Sequence, residues 1–219
     1  MLSEARGATI DNRGTPVLYL RIIFMEFFEG ELYHIYNRGN NKQKIFFKPA
    51  NYVFFLKKVR NFLMPQCDIL AYCLMPNHFH LLINADNRTI GTRLIANQQK
   101  NVLSEAVRIL LSSYTLAINK QNETTGSLFQ QNTKAKCLAK GNNNYGYICM
   151  NYIHQNPMKA GLVKRMEDWE YSSFNDYCGN RSETMCNKEL ASQLLDLNFD
   201  TFYDDSYRLI SDLDVENLF

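Results

Sequence analysis

Two of the four histidines in this chain, His78 and His80, stand two residues apart in the run Met75-Pro76-Asn77-His78-Phe79-His80-Leu81-Leu82-Ile83. The run is apolar and rich in strand formers. Successive side chains of a strand alternate faces, so both imidazoles point one way, with Phe79 and Leu81 on the other face. Two imidazoles aimed at one spot could begin a metal site. Taken alone, the pair reads more readily as two histidines on the wet face of an antiparallel strand. Further along, Tyr152 and Asn156 are four apart in a stretch of helical spacing, so they stand one above the other, with Tyr145, Ile148 and Cys149 continuing the stripe. A phenol and an amide can therefore reach one spot together, and a deprotonated phenol is a nucleophile. Tyr114 is the rival, with Asn119 five positions on. Five positions turn a helix by about 140° beyond a full turn, so that pair does not converge.

Other candidates carry two readings each. His154 lies on another face of the helix that bears Tyr152, as a packing or substrate-orienting residue. His34, beside Tyr33 on the first strand, is structural or a nucleic-acid contact. Asn37 and Arg38, followed by Gly39, form a simple turn or touch phosphate through backbone and guanidinium. Lys134, Lys136 and Lys140, like Lys57, Lys58 and Arg60, are either a local basic patch or a solvated face. Trp169, Tyr171 and Phe174 read as a lid packed on the core rather than as base-stacking platforms.

The elements that must position these groups belong to a chain of 219 residues, 46% hydrophobic and 21% charged, which is enough to bury a sizeable core in one globular domain with appendages. Disordered and collagenous classes are excluded. A formal net charge of +2 does not mark the whole chain as a nucleic-acid binder. Six cysteines (Cys67, Cys73, Cys137, Cys149, Cys178, Cys186) include no C-x-x-C pair, so neither a zinc knuckle nor a thioredoxin-type site is spelled out. Reduced thiols and a cytoplasmic location follow as the plain expectation. The apolar stretch from Val17 to Phe24 is interrupted by Arg21, too short to span a bilayer and a poor signal peptide.

Residues 1–24 match nothing downstream and are expected to be a mis-called or vector-derived leader before a natural start at Met25. A first strand is predicted from Glu31 to Arg38, ended by Gly39-Asn40-Asn41, and a helix from Pro49 to Leu63. Strands follow at Asp68 to Leu74 and, after the break at Pro76-Asn77, at His78 to Asn84. A long helix is expected over about Arg93 to Lys120, extended segments at Leu128-Phe129 and Thr133 to Ala139, and a loop with a ready N-cap over residues 141–144. A last helix, Tyr145 to Asn156, should stop before Pro157, because the residue preceding proline is pushed out of the α region. This order is that of an α+β sandwich, and the predicted fold is a ferredoxin-like or RRM-like antiparallel sheet with helices on one face and the tyrosine-bearing helix packed near the sheet. Residues 180–219 read as a helical appendage with an acidic end.

The MPNHFHLLI strand, the segment Gly126-Ser127-Leu128-Phe129-Gln130, then YIHQNPMKAGLV (Tyr152 to Val163) and WEYSSFNDY (Trp169 to Tyr177) together resemble the single-tyrosine HUH transposases, in particular the branch associated with repetitive extragenic palindromes. The resemblance covers roughly residues 31–179. It implies that His78, His80 and Asn156 bind a divalent cation, Mg²⁺ or Mn²⁺, and that Tyr152 attacks a phosphodiester of single-stranded, hairpin-flanked DNA. A 5′-phosphotyrosine and a free 3′-OH would result, without a nucleotide cofactor, and a homodimer would hold two ends. Two other classes remain: a non-catalytic RRM-like nucleic-acid-binding module, which calls for stacking aromatics on the central strands, and a small-phosphoester metallohydrolase, which calls for more Asp or Glu near the metal.

Overall fold

The strand that carries the histidine pair ends up with a neighbour on each side. In the computed structural model, which describes residues 26–138, 144–216 and 218–219, β1 (Leu32–Arg38), β2 (Asp68–Met75), β3 (His78–Asn84) and β6 (Lys134–Cys137) form one antiparallel sheet in the order β2-β3-β1-β6. The proposed leader, Met25, Lys140 and most of the loop before Asn144 lie outside the described residues. Pro76 and Asn77 make a two-residue turn that pairs Met75 with His78, and this fixes the register so that Cys73 and Tyr36 flank His80. Gly39, which ends β1, has no room for a side chain: a Cβ there would fall on the Gln43 carbonyl oxygen.

Pairing in this order, with helices in the two crossovers, is the ferredoxin-like arrangement. Helix α1 (Pro49–Phe62), opened by Pro49 at its first position, packs on α2 (Val102–Asn122). Both cover the Phe79 face of the sheet, where the Phe79 and Phe55 rings are 5.1 Å apart and Phe55 meets Tyr114 at 5.0 Å. Full burial of such rings contributes on the order of 1.5–3 kcal/mol each.

The structure departs from expectation at two places near these elements. The long helix does not begin at Arg93. Instead β4 (Thr92–Ile95) and β5 (Gln98–Asn101) form a separate hairpin, turned by Ala96 and Asn97 with φ of 49° and 61°, and α2 starts only where the Asn101 side chain accepts from the Ser104 N–H. Helix α3 (Tyr145–Lys159) does not stop at Asn156 but carries Pro157 inside its last turn. The turn closes on other bonds: the Ala160 N–H donates to the Asn156 carbonyl and the Gly161 N–H to Met158, with Gly161 at φ 68°.

α3 lies on the His80 face of the sheet, against β2 and β3. Residues 171–173 run along the outer edge of β2, through Leu74 N–H to Tyr171 and Ser173 N–H to Tyr72, before α4 (Phe174–Tyr177). Beyond them the helices of the C-terminal appendage, α5 (Lys188–Leu195), α6 (Phe202–Ser206) and α7 (Asp212–Glu216), pack back on α3. Leu195, Leu197, Phe202 and Leu218 join the main core, and a methyl on Gly146 would collide with Leu195 and Leu32. No helix among the described residues is long and apolar enough to cross a membrane.

Candidate active site

On the α3 side of the sheet, β3 presents His78 and His80 and β1 presents His34, Tyr36 and Arg38, while α3 lowers Tyr152 and Asn156 onto them. The Asn156 Nδ2 lies 3.3 Å from His80 Nε2, and the same side chain acts on its neighbours Tyr152 and His78, lowering the one's pKa and raising the other's. The Tyr152 and His80 rings meet edge to face at 5.5 Å. His80 thus stands between its partner His78, 4.9 Å away ring to ring, the Tyr152 ring and the Asn156 amide, and the four groups chosen by spacing are brought together.

The histidine tautomers follow from their partners. Asn77 Oδ1 can only accept, so His78 Nδ1 donates to it at 2.6 Å and leaves Nε2 with a lone pair. Both ligating candidates are neutral at neutral pH. Burial, with help from the Arg38 guanidinium, pushes His78 down to about 4. Burial and the neighbouring His34, His78 and Arg38 hold His80 well below the ordinary range. Tyr152 is raised by burial, and its bond to Asn156 opposes that rise. The donor set of two neutral imidazoles and one amide oxygen fits a divalent cation whose remaining positions are filled by oxygens of other origin. Among the described residues no group of three His, Cys, Asp or Glu side chains is placed to hold an ion, so the amide is needed to complete a set.

The other candidates separate. His34 is fully buried and bonded to His80 at 2.8 Å, so it faces the site's interior and not solvent. His154 is also fully buried, paired with Ser173 Oγ at 2.8 Å and packed on Phe174 and Phe202, which is the packing role. Tyr114 lies across the sheet, its hydroxyl donating to the Ile45 carbonyl at 2.8 Å, far from any partner of the histidine pair. Asn37 is buried, its amide spent on Gln130 and Thr133, and so is not offered to a ligand as expected. Arg38 sits opposite His78 with a buried Nε that has no hydrogen-bond partner among the described residues. Lys134 and Lys136 are exposed on β6 directly opposite Tyr36 and His34, which places a basic rim on the site's own face. Trp169 and Tyr171 pack as the lid: the indole donates to the Leu74 carbonyl and Tyr171 stacks on Tyr52.

Two contributors were not found by sequence reasoning. Tyr36 lies 6.0 Å from His80 ring to ring, and the alternation of β1 could have placed it with His34 and Arg38 on one face. Phe219 covers the site from the far end of the chain, 5.4 Å from Tyr152 and 5.1 Å from Tyr36, and no local signal announces it. Gln155 helps bring that end back, its amide donating to the Ser206 and Arg208 carbonyls. Covered in this way, the outer face of β1 and β3 is not the open stacking platform of an RRM-like module.

A Haemophilus influenzae protein named as a REP-associated tyrosine transposase is 27% identical over 112 residues, which are 49% of this chain and 59% of that relative, so the chain spans about three-fifths of the relative's length. A solved structure of a REP-associated tyrosine transposase bound to a REP hairpin shares the fold, with a TM-score of 0.51 at 16% identity over 73% of this chain and 86% of that one. The family model for IS200-like transposases matches residues 29–156, a span that holds every element of the histidine, tyrosine and amide cluster, and the chain belongs to that family.

Proposed function

We propose that this chain cuts and rejoins a DNA strand, with Tyr152 as the nucleophile. The observation that carries the reading is the convergence of Tyr152 and Asn156 on the histidine pair, with Asn156 Nδ2 at 3.3 Å and the Tyr152 ring at 5.5 Å from His80. The Tyr152 oxygen forms a bond to the scissile phosphorus while the bond from phosphorus to the 3′ oxygen breaks. The phenol gives up its proton and the departing oxygen ends as a 3′-OH. A phosphodiester is exchanged for a phosphotyrosyl diester, so the bond energy is kept for rejoining and no nucleotide cofactor enters.

His78, His80 and Asn156 would hold a divalent cation, which supplies polarisation of the phosphate and offsets charge developing on it. Arg38, with its unspent Nε donor beside His78, is suited to a phosphate oxygen, and Lys134 and Lys136 to the flanking backbone. The small-phosphoester reading finds no support in a site rimmed by basic strands and built around a tyrosine. The relative of similar fold is bound to a REP hairpin, and we take hairpin-flanked single-stranded DNA as the substrate here. In a stacked duplex the backbone would first have to be unpaired, at a cost of a few kcal/mol. Joining two ends calls for two sites, which a homodimer supplies; sedimentation with and without hairpin DNA tests this, and a monomer in both conditions counts against it.

The decisive assay is the covalent protein-DNA species, seen as a gel shift with hairpin-flanked single-stranded DNA and Mn²⁺ or Mg²⁺. Tyr152→Phe removes one oxygen and should abolish the adduct while DNA binding persists. Tyr36→Phe and Tyr114→Phe should still form it. An adduct that survives in Tyr152→Phe, or equal cleavage of plain duplex, would sink the reading.

A further inference from the structure

We propose that His34 is a positioning residue: anchored on the Leu218 carbonyl, it holds His80 in the Nδ1–H tautomer and so keeps the His80 Nε2 lone pair turned to the cation. This rests on the metal-binding part of the proposed function. His34 Nδ1 lies 3.3 Å from the Leu218 carbonyl oxygen, which can only accept, so His34 carries its proton on Nδ1. A neutral His34 then has a lone pair on Nε2, 2.8 Å from His80 Nδ1, so His80 must donate there. That leaves His80 Nε2 unprotonated, facing the Asn156 Nδ2–H at 3.3 Å.

The reverse assignment fails at both ends. If His34 donated from Nε2, its Nδ1 lone pair would face the Leu218 oxygen, and the His80 Nε2–H would point at the Asn156 N–H. Only one direction satisfies all three contacts. The two rings are also stacked, 5.0 Å apart at 26°, and His34 is fully buried, so neither ring turns freely. A metal-ligating imidazole whose other nitrogen is tied to an acceptor is fixed in orientation, and loss of such a partner typically costs about 10–100-fold in metal affinity. What is unusual is that the anchor is a backbone carbonyl at residue 218, on the segment after α7 that packs against α3.

The test uses the full chain and Mn²⁺ alone, with free ion followed by electron paramagnetic resonance. His34→Phe keeps the ring shape but has no acceptor, and should weaken Mn²⁺ binding about 10–100-fold with circular dichroism unchanged, while two lost buried hydrogen bonds lower the melting temperature. His34→Gln places an acceptor near the same point and should recover most of the loss. Equal affinity in wild type and His34→Phe, or equal loss in both variants, overturns the proposal. Should His34→Phe not fold, nitrogen-15 imidazole spectra of the metal-free wild type decide: His34 and His80 are expected as Nδ1–H, and an Nε2–H His80 overturns it. A wild-type chain that binds no Mn²⁺ does so as well. If these results hold while no Tyr152 adduct forms, the proposed function fails and the role of His34 stands.

Discussion

Asn156 is the side chain on which the chemistry turns, because its amide meets His80 and acts on the proton affinity of both Tyr152 and His78. Asn156→Ala should therefore have two effects. Tyr152 loses the contact that opposes its upward shift, so phenolate becomes harder to form. Mn²⁺ affinity should fall by at least about 10-fold, the loss seen for partners one layer further out. Titration of the ion and single-turnover adduct formation measure the two separately, and an unchanged metal affinity would remove Asn156 from the ligand set. Tyr114→Phe should behave otherwise: it leaves the Ile45 carbonyl without its donor and costs about 1–3 kcal/mol of stability in a denaturant melt, with adduct formation intact. At this scale the sequence was informative where chemistry depends on short-range periodicity. His78 with His80, and Tyr152 with Asn156, share a face by spacing alone. Tyr36 and Arg38 join them only through the β1 to β3 register, which one strand's sequence does not contain, and Asn37 read as available because its partners Gln130 and Thr133 lie on a distant loop.

At the scale of elements, the site is a sheet face closed by α3 and by the segment after α7. Phe219 lies edge-on to His34, Tyr36 and Tyr152, and Lys136 donates to its carbonyl at 3.3 Å. We expect that ring, packed edge-on against Tyr152, to hinder the approach of a DNA strand to the nucleophile. Phe219→Ala should thus speed adduct formation at saturating metal, read as a higher single-turnover rate, and a slower rate would mean that the ring positions Tyr152 rather than covering it. Most elements were legible: the four sheet strands and α1 follow from alternation, helical spacing and the signals at Pro49 and Pro76. The β4 and β5 hairpin was not, because Thr92 to Asn101 has helix-compatible residues and its turn rests on two non-glycine residues at positive φ, Ala96 and Asn97. The overrun of α3 past Asn156 has a similar cause. The local rule about Pro157 is real, but the bonds around Ala160 and Gly161 outweigh it.

For the whole molecule, all four histidines are buried or half-buried and all are pushed down: His34 and His78 to about 4, His154 to about 3, and His80 well below its ordinary value, each chiefly by burial. An unfolded chain returns them to about 6.5. Below that pH the unfolded state takes up protons that the folded state refuses, so stability rises with pH through this window and is lost as pH falls from about 6.5 toward 4. Each group contributes a slope of up to about 1.4 kcal/mol per pH unit where it is charged unfolded and neutral folded. Carboxylates held low by arginine partners, such as Asp86 beside Arg88 and Glu105 beside Arg108, lose their contribution only at lower pH. The metal-free protein should therefore show a melting temperature that falls steadily from pH 6.5 to pH 5, with net proton uptake on unfolding. Mn²⁺ requires the neutral imidazoles of His78 and His80, which the folded chain keeps neutral down to about pH 4, so its stabilising effect should persist across this range and shrink only below it. The metal-saturated protein should keep the same slope, because the ligating imidazoles are unprotonated in the folded chain with or without the ion. A melting temperature flat across this range would mean that the buried histidines are already protonated in the folded chain, and the lone-pair arrangement at His80 would fall with it.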